Sequence, residues 1–130
     1  MLLASAPRTS FGMADFKKLR VWRKAHALAL NADRIAAEIR GAIHKPLSVQ
    51  MNRAAMSIPT NIVEGRGKRS DRDFARFLGY ALGSATELEY HIMVARDVGA
   101  ILRNDAASLL SQVIEVKKML RGLIDRLSEQ

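Results

Sequence analysis

"SDRDFARFLGYALGSATELEYHIMVARDVG", residues 70–99, is the stretch whose reading decides the fold. Its apolar positions Phe74, Leu78, Ala81, Ala85, Leu88, Ile92 and Ala95 follow one another in alternating steps of four and three. That spacing lays a stripe along one face of a helix, whereas a half-buried strand alternates at every second residue. Ser70 followed by Asp73 is a capping box with Asp in place of Glu or Gln, and Gly99 is the expected stop. Gly83 and Ser84 fall in mid-helix, where small side chains are expected to admit a neighbouring backbone, at a propensity cost of about 1 kcal/mol for the glycine.

The same spacing recurs on both sides. A first segment carries Val21, Ala25, Leu28, Ala32, Ile35 and Ile39, widened by Trp22, Ala29 and Ala36, with Arg20, Lys24, Asn31, Arg34 and Glu38 on the other face and Gly41 as a stop. Pro46 suits the first turn of a second helix, where its missing N–H would have no partner. The stripe resumes there at Leu47, Met51, Ala54, Ile58 and Ile62, and Gly65 and Gly67 close it. Pro59 interrupts this segment; it removes a donor and crowds the Ala55 carbonyl, which costs about 3 kcal/mol in a straight helix and predicts a kink. A last helix, capped by Asn104 or Asp105, carries Leu109, Val113, Val116, Leu120, Leu123 and Leu127. Four amphipathic helices with short connections predict an all-α, antiparallel up-down-up-down four-helix bundle, a single domain over residues 15–130 with left-handed packing. Residues 1–14 are expected to be a disordered lead without the basic and apolar regions of a signal peptide, with Met13 as an alternative start.

The 130 residues include no cysteine, which removes disulfides, thiolate zinc sites and cysteine nucleophiles together and predicts a cytoplasmic protein. The net charge of +8 and a pI near 10.4 point to polyanionic partners. The surplus is uneven: residues 15–45 hold eight Lys/Arg against three acids and residues 66–84 five against two, while residues 85–99 hold one against three. No apolar run approaches the roughly 20 residues that cross a bilayer, so no membrane partner is expected.

Three stretches carry a resemblance: "LRVWRKAHALA" at 19–29, "AAMSIPTNIVEGRGKRSDRDFARFLGYALGSATELEYHI" at 54–92 and "EVKKMLRGLI" at 115–124. With S-I-P-x-N-I-x-E-G, F-x-R-F-L and G-S-x-x-E-L-E in succession, the chain resembles the four-helix bundle proteins encoded within intervening sequences of bacterial 23S ribosomal RNA genes. It departs from that pattern at Asn52, where a second arginine usually precedes Arg53. The resemblance implies a small cytoplasmic bundle, commonly a ring-like homopentamer. The family is in turn similar to the accessory protein of diversity-generating retroelements, which implies RNA or a reverse-transcriptase-like protein as partner.

Two basic groups are the candidate nucleic-acid contacts. Arg66, Lys68, Arg69 and Arg72 gather at the start of the third helix, whose free N–H groups also favour anions. "GRGKRS" is not a P-loop, because Lys68 is followed by Arg69 and the segment follows a helix. The bland alternative is a solvated helix connection. Lys17, Lys18, Arg20, Arg23 and Lys24 form the second group, interleaved with Phe16 and Trp22. Trp22 lies at the edge of the apolar stripe, so packing is expected to take it in preference to base stacking.

Glu64, Glu87, Glu89 and His91 lack the Glu-x-x-His spacing of a di-iron bundle, and no metal or other cofactor is expected. Arg53, Asn61, Glu64, Ser84 and Glu87 are expected instead as structural polar residues, the two carboxylates partly buried and paired with Arg53 or Asn61. Nothing marks a catalytic nucleophile, and the expected function is a non-enzymatic, oligomeric basic adaptor for RNA or a ribonucleoprotein. The alternatives are a protein-interaction module and, more remotely, a metal- or ligand-binding bundle.

Overall fold

A computed structural model describes residues 13–129, so residues 1–12 of the expected lead lie outside the described residues. A single-turn-rich 3-10 segment, Met13–Lys18, precedes four helices: α1 Arg20–Ala37, α2 Lys45–Arg66, α3 Asp71–Asp97 and α4 Arg103–Ser128. A short 3-10 turn, Ala42–His44, joins α1 to α2. Helix α2 packs on α1 and α3, α3 on α4, and α4 closes back onto α1. This is the expected four-helix bundle, and no strand occurs among the described residues.

The core is made by the stripes. All seven apolar positions of the α3 stripe are buried, and they meet Leu28, Ile35, Met51, Ile58, Ile62, Leu109, Val113 and Leu120 from the other three helices. Much of the interface is alanine, including Ala25, Ala29, Ala32, Ala54, Ala55, Ala81, Ala85 and Ala106, which lets helix axes approach closely. Among the described residues no polar or charged residue is buried. Asn52, the departure from the family pattern, donates from Nδ2 to Asp33 Oδ1 across the α1–α2 seam.

Several local expectations are resolved by geometry. Ser70 caps α3, its Oγ accepting from the Asp73 N–H at 3.1 Å, with Asp71 and Asp73 in the first turn against the positive end of the helix. Ser70→Ala is expected to cost about 1 kcal/mol, read as a lower urea midpoint at unchanged slope. Pro46 lies in the first turn of α2, and the helix runs through Pro59 to Arg66 without a break, with the Pro59 ring buried.

Two expectations are corrected. Helix α4 starts at Arg103 from an extended Leu102 that makes no side-chain cap, so Asn104 and Asp105 sit inside the first turn, where Asp105 complements the helix dipole. Gly83 is exposed, and a Cβ there would meet nothing within 4 Å. One residue is about 100° of helix rotation, enough to carry position 83 off the seam that Ser84 occupies. The close approach occurs at Gly65, where a Cβ would lie 2.8 Å from Phe77 Cβ and 3.3 Å from the Phe74 carbonyl oxygen. The absence of a side chain at Gly65 is what lets the end of α2 lie against the start of α3.

Candidate nucleic-acid interface

Antiparallel alternation puts the start of α1, the α2–α3 corner and the end of α4 at one end of the bundle. Two surface grooves register this arrangement. One is lined by Leu19, Arg20 and Val21 together with Lys118, Met119, Gly122, Leu123 and Arg126; the other by Asp71, Arg72 and Ala75 with Leu127 and Ser128. The 3-10 segment that carries Lys17 and Lys18 packs on both α1 and α2. The two basic groups, more than 40 positions apart in the chain, therefore share one end, and Lys118 and Arg126 join them there.

The cations at this end do different jobs. Lys17, Lys18, Arg20, Arg69 and Arg72 are exposed. Arg23 is also exposed, but its Nη1 donates to the carbonyl oxygens of Lys17 and Lys18 at 3.2 and 3.1 Å, tying the 3-10 segment to α1. Lys24 reaches across to α4 and pairs with Glu115 at 3.6 Å. Arg66 is only half-exposed and lies 5.9 Å from the Phe74 ring centroid, and the Lys68 ammonium lies 4.9 Å from that of Phe77. These contacts make Arg66, Arg23 and Lys24 structural as well as basic.

Trp22 follows the packing expectation. It is half-buried against the core, with His26 stacked on one face at 4.8 Å and Phe16 edge-on at 4.9 Å. A different aromatic group stands beside the corner: Phe77 and Tyr80 pack edge to face at 5.2 Å, and Arg76 Cζ lies 4.9 and 5.8 Å from their ring centroids. Arg76 donates to Tyr80 Oη at 3.1 Å, and that hydrogen bond is the main cause of a guanidinium pKa held above its ordinary value. The signal was present in the sequence as an Arg-to-Tyr spacing of four, which places the pair on one helix face.

The structural polar set divides. Asn61 Nδ2 donates to the Ser57 carbonyl at 2.9 Å and to Ser57 Oγ at 3.1 Å, and Ser57 Oγ bonds Ser84 Oγ across the α2–α3 seam at 2.7 Å. Arg53, Glu64 and Glu87 are exposed, so the expected half-buried pairing of the two carboxylates is corrected. Glu89 provides it instead, accepting from Lys117 Nζ at 2.8 Å with side chains only 30% and 14% exposed. The reason is rotation again: two residues of helix separate an outward Glu87 from a Glu89 that faces α4. Among the described residues no group of three or more His, Cys, Asp or Glu is placed to hold a metal ion, and no helix is long and apolar enough to cross a membrane.

Residues 17–122 match the 23S rRNA-intervening sequence protein family, a span that takes in all of α1, α2 and α3 and most of α4. The chain belongs to that family. The crystal structure at 1.70 Å resolution of a protein of unknown function from the S23 ribosomal protein family of Bacteroides thetaiotaomicron is similar to this family member. It superposes with a TM-score of 0.73 at 26% identity, covering 80% of this chain and 97% of that one. No match emerges among curated proteins.

Proposed function

We propose that the protein is a non-enzymatic basic adaptor that binds RNA, free or within a ribonucleoprotein, through phosphate contacts at the end of the bundle where its cations collect. The observation that carries this reading is the joining at one end of Lys17, Lys18 and Arg20 with Lys68, Arg69 and Arg72, groups that the chain itself keeps far apart. Membership in a family named for ribosomal RNA intervening sequences supports it.

The adaptor works as a homo-oligomer, a pentamer by resemblance, so that each basic end is repeated and individually weak phosphate contacts add as avidity. Exposed apolar side chains away from the basic end, among them Leu30, Ile43, Val98, Leu102 and Ile114, supply self-association surface without covering the cations. Light scattering is expected to return a mass several-fold above the 14.4 kDa of one chain.

The test is an RNA-binding titration over a salt series. A linear fall of log affinity with log salt, with a slope of about −0.7 for each phosphate held on a single strand, is the expected result. Absence of binding at low salt would favour the second reading, a protein-interaction module that uses the same exposed apolar side chains and engages a reverse-transcriptase-like or acidic protein, its charge acting in steering alone.

A further inference from the structure

We propose that Phe77 and Tyr80 form a stacking platform for unpaired bases of RNA held at the adjoining basic corner, so that the protein distinguishes single-stranded from duplex RNA. The inference rests on the adaptor reading above and adds the feature that phosphate contacts lack, a surface for the bases themselves.

Both rings lie off the buried stripe of α3 and beside its cations. Tyr80 is 49% exposed, and Phe77 is half-exposed with its Cβ seated against the end of α2 at Gly65. The edge-to-face contact at 5.2 Å holds the two rings at 74° to one another, and Arg76 braces both. Gly79 and Gly83, before and after Tyr80 in α3, are exposed and carry no side chains to crowd the exposed ring. The Lys68 ammonium lies 4.9 Å from the Phe77 centroid, and Arg69 and Arg72 continue the positive surface within one turn of helix or loop. Aromatic faces set in a positive groove are how proteins hold single strands with little sequence preference, because every base offers a π face. Bases stacked within a duplex have no free face to offer, and double-stranded RNA is met through its shape, phosphates and 2′-hydroxyls. Lys68, Arg69 and Arg72 make the corner positive, so charge complementarity favours a polyanion as the occupant.

The experiment measures anisotropy of a labelled oligouridylate, and of a labelled RNA duplex of equal length, across a salt series with the full chain. Tyr80→Leu keeps bulk on an exposed position and removes the ring, while Tyr80→Phe keeps the ring and removes the hydroxyl. Tyr80→Leu is expected to weaken oligouridylate binding by about 5-fold to 150-fold, the range of one lost base stack, with the salt slope unchanged because no phosphate contact is removed. Duplex affinity stays at the wild-type value and Tyr80→Phe restores most of the loss. Undiminished oligouridylate binding by Tyr80→Leu overturns the platform alone. So does a change in the mass of the assembly by light scattering, which would make this face a subunit contact. Absence of RNA binding by the wild-type protein overturns both the platform and the adaptor reading beneath it.

Discussion

Replacing Lys17, Lys18, Arg69 and Arg72 together by glutamine is expected to lower affinity for single-stranded RNA by nearly three orders of magnitude at about 0.1 M salt, with the fold intact. Each phosphate contact on a single strand releases about 0.7 of a counterion, so four lost contacts flatten the slope of log affinity against log salt by about 3, and at 0.1 M each forfeits about 0.7 of a decade. All four side chains are exposed, and substitutions of that kind normally stay within about 0.5 kcal/mol of the parent stability. Removing Arg72 from the first turn of α3 even relieves a cation from the positive end of a helix. The internal control is Lys24→Gln. Lys24 already pairs with Glu115, so its loss should shift the slope far less than any one of the four. A quadruple variant that keeps the wild-type slope would mean that the shared basic end is a solubilising surface.

The second large effect concerns the packing that holds this corner in place. Phe74→Ala is expected to destabilise the bundle by about 3 to 5 kcal/mol, against a total of about 5 to 15 kcal/mol for a domain of this kind. Phe74 is 2% exposed and among the largest side chains of the core; its ring wedges between the end of α2 and the start of α3, with the Arg66 guanidinium over it. Its Cδ1 would stand 3.0 Å from a Cβ at position 65, so the cavity left by alanine opens where the two helices come closest. Gly65→Val tests the same contact from the other side. The added atoms would meet Phe77 Cβ and the Phe74 carbonyl, neither of them a flexible side-chain end, and an overpacking cost of about 1 to 3 kcal/mol is expected. Urea unfolding followed by circular dichroism reads both; a loss under about 1 kcal/mol for either would show that the corner relaxes freely.

The two predictions draw on different amounts of sequence information. That Phe74 is buried was legible from the periodicity, because a side chain four residues from Leu78 on an apolar stripe has no other place to go. That position 65 must be glycine was not legible. "GRG" reads as a helix stop, and only the approach of Phe77 shows that Gly65 is a contact and Gly67 the cap. Similarly, Gly83 and Ser84 are adjacent small residues in the chain, yet one faces open space and the other bonds Ser57. The pairing of Glu89 with Lys117, in place of the expected pairing of Glu64 and Glu87 with Arg53 or Asn61, has the same origin, a rotation about the helix axis that a sequence leaves uncertain by a residue or two.

What the sequence determined by itself is the set of helices and the faces they bury: stripes spaced four and three, Ser70 and Pro46 at helix starts, Gly67 and Gly99 just past the ends of α2 and α3, and a surplus of positive charge; α1 instead ends at Ala37, before the expected stop at Gly41. These follow from local rules, since helix period, caps and side-chain chemistry act over a few residues. Which cations stand together was decided by tertiary structure alone. Antiparallel packing folds residues 17–20, 66–72 and 118–126 onto one end, spends Arg23 and Lys24 on contacts with the protein itself, and leaves Phe77 and Tyr80 outside the core beside the cations that remain.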